Sequence, residues 1–251
     1  MLSKFKQRSY ELERIDTGDY TADEYEGCIV ELQRVNRWLG DANIMRDTLL
    51  RDVAAQNLKA FSILDVGAGS GELLRVAGHW AKEQRRELFG VGVELNQRSA
   101  EAILEESNSL INAVRANALQ LPFADGEFDY VMCSLFTHHF VEQQVIEIFR
   151  EMSRVARRRV FVIDLHRHAV AYYLYTTVGK LFLHTSLLRE DGALSILRSF
   201  KPNELMELGN QAGMRGVFVS RHFPFRVVLS ALGQGAATTY AEPRQRPSQA
   251  A

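Results

Sequence analysis

The sequence predicts an α/β protein. It has a mostly parallel sheet flanked by helices and closed by a C-terminal antiparallel hairpin, plus an N-terminal helical arm and an inserted helical cap. Three observations predict it. Apolar strand-like runs alternate with amphipathic helical runs from Phe61 to Leu165, the order of successive βαβ units. A glycine-rich turn, Gly67-Ala68-Gly69-Ser70-Gly71, joins the first of these strands to its helix. Two β-rich runs flank Pro224 in GVFVSRHFPFRVVLSAL, as an antiparallel hairpin at a sheet edge requires.

Residues 1–58 form the arm. Ile29, Leu32, Val35, Trp38 and Leu39 recur at helical spacing, and Gly40 is a helix stop. A second helix is expected through Met45, Leu49 and Leu50 toward Ala60. Residues 59–165 form the core. FSILDV, then the glycine turn, then ELLRVAGHWAKEQ read as strand, turn and helix, and ELFGVGVELN begins a second such unit. A short strand at NAVRA precedes a polar turn and a buried strand, Phe128–Ser134. VEQQVIEIFREMSRVAR reads as a helix and RRVFVIDLHRH as a strand, with Arg157, Arg158 and Arg159 as a solvated turn between them. Residues 166–200 break this rhythm. AVAYYLYTTVGKLFLHTSLL is aromatic and helix-like and is followed by a turn at Asp191–Gly192, so it reads as an inserted cap. Residues 201–232 return to the core with a helix opened by Pro202 and the hairpin. Residues 233–251, rich in Gly, Ala, Pro, Gln and Arg, are expected to be disordered.

A chain of 251 residues suits one domain with decorations. A formal net charge of -1 gives no global attraction to nucleic acid. Cys28 and Cys133 are too far apart for metal spacing or a disulfide framework, and Cys133 reads as a core thiol. The polar N-terminus has no apolar core of a signal peptide. No run reaches the roughly 18 apolar residues of a membrane span. These features lead to the expectation of a cytoplasmic protein without integral membrane contact.

The chemistry starts at the glycine turn. Glycines let a backbone bend sharply and let a ligand approach it closely. The following helix offers free N–H groups at its start. A dinucleotide fingerprint has the form G-x-G-x-x-G. Here the glycines stand at 67, 69 and 71 and position 72 is Glu, which argues against a dehydrogenase. Read alone, the turn is weak evidence, and a tight strand–helix connection is the alternative reading. Glu94 ends the second strand, at the separation from the turn where an acid can accept hydrogen bonds from ribose hydroxyls. A Glu opening a helix is the alternative reading.

LDVGAGSGELL, VGVELN, NALQLPFADGEFDYVMCSLFTHHF and MSRVARRRVFVIDL together resemble the class I S-adenosylmethionine (SAM)-dependent methyltransferase superfamily. More narrowly, they are similar to small-molecule methyltransferases of the ubiquinone/menaquinone-biosynthesis type. The resemblance covers residues 60–165 and not the arm or the cap. It implies a Rossmann-like sheet with an antiparallel last strand, SAM as cofactor and S-adenosylhomocysteine as product. It places Asp65, Gly67, Ala68 and Gly69 around the amino-acid part of SAM, Glu94 on the ribose and Leu95 against the adenine. Where the family often has Gly-Asp-Ala, this chain has Ala116, Asn117 and Ala118. Asn117 can still accept a hydrogen bond from the adenine amino group, and Ala118 and Leu119 can contact the ring through their backbone. Ser134 to Phe140 fall where the family places the methyl group and the substrate. Neither an Asn/Asp-Pro-Pro-Tyr motif nor a Pro-Cys pair is present there, which favours a small molecule over nucleic acid.

Methyl transfer to a hydroxyl or an acidic carbon needs alignment and a proton acceptor, for which His is suited. His138 and His139 are the first candidates, and His166 at the end of the fifth strand is the next. The competing readings are a helix cap or pocket-ordering role for the pair and a structural role at the cap hinge for His166. His79, His184 and His222 carry no motif, and no spacing suggests a metal. Tyr172, Tyr173, Tyr175, Phe182 and Leu183 of the cap are core or pocket lining. Tyr20, Tyr25 and Trp38 of the arm could close the other side. The expected activity is methylation of a hydroxyl or carbon on a hydrophobic small molecule, phenolic, quinone-like or polyketide-like. N- or lipid-directed methylation and a non-catalytic SAM-binding sensor or assembly protein stay open.

Overall fold

The structure, a computed structural model, describes residues 2–105 and 111–235. The arm begins with a 3-10 turn at Leu2–Phe5 and a single-turn helix α1 (Arg14–Thr17). Helix α2 (Ala22–Leu39) starts on a capping box: the Thr21 side chain accepts from Glu24 N–H, and the Glu24 carboxylate accepts from Thr21 N–H. Gly40, at φ 80°, ends it in the left-handed conformation that a Cβ disfavours. The second expected helix is divided. α3 (Asp41–Met45) passes through a π-helical turn at Arg46–Leu50 into α4 (Arg51–Ala55), which stops short of Ala60, where β1 begins.

The core then alternates as the periodicity requires. The elements are β1 (Ala60–Val66), α5 (Glu72–Glu83), β2 (Glu87–Glu94), α6 (Gln97–Glu105), β3 (Ile111–Arg115), β4 (Phe128–Ser134), α7 (Glu142–Val155) and β5 (Ala156–Leu165). The cap is not one helix but three, α8 (Ala169–Thr177), α9 (Gly179–Phe182) and α10 (Ser186–Arg198). Helix α11 (Pro202–Gln211) and strands β6 (Arg215–His222) and β7 (Arg226–Leu232) complete the sheet.

The seven strands run in the order β3-β2-β1-β4-β5-β7-β6. All neighbours are parallel except β7, which is antiparallel to both β5 and β6. The hairpin thus inserts β7 beside β5 and places β6 at one edge of the sheet, with β3 at the other. Successive strand residues point to opposite faces, and the core divides accordingly. Leu64, Val66, Val131 and Cys133 pack against α7 and α11 residues such as Phe149 and Leu205. Ile63, Tyr130 and Met132 pack against Met45, Leu49, Leu50 and Leu74 of α3 to α5. A third, smaller cluster joins Cys28 of α2 to Leu183, Leu187 and Leu188 of the cap, with Tyr20 and Tyr175 on its rim. Arm and cap therefore share a core and form one helical canopy.

Three expectations are corrected. Asp191–Gly192 is not a turn but lies inside α10. A Cβ on Gly192 would meet the Tyr175 hydroxyl at 2.0 Å, so that glycine permits helix contact and not chain reversal. Arg157, Arg158 and Arg159 are not a solvated turn. They lie in β5, with Arg157 and Arg158 paired to Asp129 at 3.3 and 3.0 Å and Arg159 to Asp52 at 3.5 Å. At the tail, residues 233–235 are ordered by backbone bonds to Arg158, Ser153 and Ala156. The expected disorder beyond them falls on 236–251, outside the described residues.

Candidate active site

The glycine turn is held open by its own backbone. Gly67, Gly69 and Gly71 have φ of 71°, 57° and 78°. Gly67 and Ala68 both donate to the Val93 carbonyl, at 2.9 and 3.2 Å, which ties the turn to the end of β2. Glu94 is the next residue, and its carboxylate accepts the Gly69 N–H at 2.5 Å. Its remaining lone pairs can take hydroxyl donors. Burial raises its pKa, against the pull of the Gly69 and Leu95 N–H groups.

Asp65 lies one residue before the end of β1, 2% exposed, and its Oδ1 has no hydrogen-bond partner. Burial, with help from the Glu94 charge, pushes its pKa up to about 8. An unpaired buried carboxylate is costly unless a cation meets it. Beside a turn with a close-approach backbone, this one suits the ammonium of an amino-acid ligand.

The adenine-side candidates differ among themselves. Leu95 is exposed. Asn117 uses its Oδ1 to accept Leu119 N–H at 3.0 Å, a local turn that shapes the following segment. Ala118 is buried, which leaves only its backbone for a ligand, and Leu119 is half-buried. Ser134 is half-buried at the end of β4. From the arm, Tyr25 stacks on Tyr20 with centroids 5.2 Å apart. Its hydroxyl pKa is raised by burial and then by the Tyr20 and Glu94 charges. The Trp38 side chain lies outside the described set.

The loop after β4 joins this turn to the histidines. The Phe136 ring packs directly on Gly67, where a Cβ would come within 2.2 Å of it. A 3-10 turn, Thr137–His139, follows. His138 is buried, and its Nδ1 lies 2.7 Å from Asp164 Oδ1 at the end of β5. Asp164 also accepts the Thr137 hydroxyl and the His138 backbone N–H. Burial alone would raise the Asp164 pKa. The His138 charge and these hydrogen bonds outweigh it and hold the acid at about 2.

His139 lies against His138 with centroids 4.2 Å apart and ring planes tilted by 35°, and places its Nδ1 3.1 Å from Asp16 of the arm. Arg198 of α10 is buried and donates to the His138 and His139 carbonyls at 3.2 and 2.7 Å and to Asp16 at 2.9 Å. Arg8 donates to the His138 and Phe140 carbonyls from the other side. The canopy thus clamps the histidine loop by its backbone.

Glu13, His138 and His139 bring one ligand atom each within 4.8 Å of one another. The acids nearby are already engaged. Glu13 accepts the Ser195 hydroxyl at 3.0 Å and faces Arg198 at 3.8 Å, while Asp16 binds Arg198 and His139. This is an ion-pair network, not an open ligand set.

His166 stands apart. Its N–H bonds the Phe225 carbonyl, its ring lies 5.3 Å from His168, and it bridges to Phe200 at the foot of the cap. Burial and the surrounding His168, Arg221, Arg167 and Lys201 draw its pKa down to about 4. No described interaction links it to the glycine turn or to His138. Sequence reasoning missed Asp164, Arg198, Glu13 and Asp16. Asp164 did leave a signal, since an acid inside VFVIDL is either a paired buried charge or misplaced.

Comparisons with known proteins bear on the fold that carries these residues. Residues 64–163 match the family model described as "Methyltransferase domain". A curated relative, demethylmenaquinone methyltransferase of Bacillus licheniformis, is 28% identical over 184 residues, covering 66% of this chain and 75% of the relative. Magnesium protoporphyrin IX methyltransferase of Synechocystis PCC 6803, solved with bound S-adenosylhomocysteine, superposes with a TM-score of 0.52 at 15% identity, covering 78% of this chain and 84% of the other. Human N-acetylserotonin methyltransferase, solved with SAM, gives 0.59 at 12% identity over 89% of this chain and 63% of its own. The structural likenesses establish a shared fold.

Proposed function

We propose that this class I SAM-dependent methyltransferase transfers the methyl group to a hydroxyl or carbon of a hydrophobic, phenolic or quinone-like small molecule, with His138 as the base. The observation that carries the reading is the buried His138–Asp164 pair, one short turn beyond the Phe136 ring that lies on Gly67.

SAM supplies a methyl group on an activated sulfonium. The residues present fit it: Asp65 offers an unpaired acceptor for the ammonium, Gly69 has open space where a side chain would stand, and Glu94 keeps acceptor capacity for ribose hydroxyls. Asp164, anionic at neutral pH, fixes the His138 ring through Nδ1 and stabilises the imidazolium that forms when Nε2 takes a proton. Asp164 is a positioning residue. The canopy covers His138, which excludes water and strengthens that stabilisation. The substrate class is supported by the demethylmenaquinone methyltransferase relative, whose named substrate is a quinone.

Two measurements test this. Transfer of labelled methyl should favour a phenol or quinol over a long-chain lipid amine, and labelling of the amine alone would overturn the acceptor class. His138→Gln and Asp164→Asn should each slow single-turnover methylation by about 10²–10⁴ while SAM affinity holds. His139→Gln should cost far less. A wild-type rate in His138→Gln would leave alignment alone to carry the reaction.

A further inference from the structure

The outer surface of the cap does not belong to the site. Val170, Leu174, Val178, Leu181 and Phe182 fall at helical spacing along α8 and α9 and are all exposed, Leu181 at 76% and Phe182 at 60%. The only buried residue of α8 is Ala171, and its Val170 and Leu174 face outward while Tyr175 turns in toward Leu188. The hairpin tip stands beside the start of α8, where His168 stacks on Phe225 with centroids 5.3 Å apart. At that tip Phe223 is 92% exposed. Scattered exposed apolar residues need no explanation, but a contiguous stripe with an aromatic tip does.

Charge is segregated onto the same side. The chain as a whole is near neutral. Residues 2–10, 165–189 and the hairpin tip 217–226 contain no Asp or Glu, and exposed acids border them at Glu190, next to Arg189, and at Asp47, whose charge reaches His222. These segments carry exposed Lys4, Lys6, Arg189 and Arg221. Lys4 is fixed over the Tyr172 ring at 3.5 Å from its centroid, at the edge of the stripe. Arg8, Arg167 and Arg226 are spent inside the fold, on Glu142, Glu204 and Asp41. What faces outward is therefore apolar with a cationic margin and no opposing acid from these segments. A partner protein could cover an apolar stripe. The pairing of Leu and Phe with a Lys/Arg margin is the chemistry of a surface that enters the headgroup layer of an anionic bilayer.

We propose that the α8–α9 face and the Phe223 tip seat this enzyme peripherally on an anionic lipid surface. Among the described residues no helix is long and apolar enough to cross a membrane, so the contact is interfacial. The proposal stands on the surface alone and does not depend on which acceptor is methylated.

Flotation of the full chain with vesicles tests it. The wild type should float with phosphatidylcholine vesicles containing phosphatidylglycerol, less with phosphatidylcholine alone, and less again as salt is raised. Leu181→Ser/Phe182→Ser and, separately, Phe223→Ser should lower the partition by about tenfold or more. SAM affinity and melting temperature should stay unchanged, because none of these side chains packs inside. Wild-type protein that stays at the bottom of the gradient with both vesicles overturns the proposal. So does flotation that the variants leave intact, or equal partition into neutral vesicles. A concentration-dependent dimer that Leu181→Ser/Phe182→Ser dissolves, without flotation of the wild type, assigns the face to a second copy instead.

Discussion

The cofactor half and the canopy half of the site are built on opposite principles. Around the glycine turn, polar groups are left under-used: Asp65 Oδ1 has no partner and Glu94 holds a single backbone N–H of the turn. Over the histidines, nearly every charge is closed by another. Arg198 alone binds the His138 and His139 carbonyls, the Glu11 carbonyl and Asp16. Asp191 caps α1 by accepting the Arg14 and Ile15 N–H groups at 2.9 Å each. On the proposed function, the first half is left open for a ligand that arrives. The second is arranged to hold a loop still.

Breaking the canopy should have the largest effect. Arg198→Met leaves Glu13 and Asp16 without their cation and frees two loop carbonyls, and removing one partner of a buried network costs about 3–5 kcal/mol. Denaturant melts should show that loss, and limited proteolysis should cut in the arm before the core. An unchanged melt would mean that the network is ornamental to stability. Glu94→Ala should be next, a loss of about 1–3 kcal/mol in SAM binding read by calorimetry, with little change in the ligand-free melt.

The two turn glycines sharpen the contrast further. Gly67→Ala drives a methyl group into Phe136 and should lower both stability and affinity. Gly69→Ala meets nothing within 4 Å, so only its φ of 57° is strained and the ligand-free protein should lose about 1–2 kcal/mol or less. Equal destabilisation by the two would remove Phe136 from the account.

The most telling effect is at Asp65. Its folded pKa, about 8, lies above its unfolded value, so the folded state holds the extra proton and stability falls as pH rises from about 4 through 8. Asp65→Asn removes that slope. At pH 9 the ligand-free variant should melt about 2–4 °C or more above the wild type while binding SAM more weakly. A variant that melts lower at that pH would show the carboxylate to be paired after all.

Much of the core was legible because it is written locally. The turn, Glu94, the strand Phe128–Ser134 and the antiparallel ending each occupy a few consecutive residues with a fixed period. The canopy was not legible because its bonds join residues far apart in sequence, such as Glu13 to Ser195 and Asp41 to Arg226. No spacing rule marks an acid whose cation is so distant along the chain. His166 is placed by contacts of the same long-range kind. Its place at a strand end suggested the crevice, but β7 and the hairpin tip pack beside that end and turn it toward the foot of the cap.

The unpaired Asp65 also ties the lifetime of the polypeptide to its surroundings. A ligand that brings the missing positive charge binds the folded chain and not the unfolded one, and mass action then shifts the population toward the folded form. Proteases that work on opened chains sample that population. When the methyl donor is scarce, the ligand-free fraction carries an uncompensated buried acid and opens more often. The amount of enzyme should therefore decline along with the supply of its own donor, so that abundance follows methylation capacity without any separate regulator.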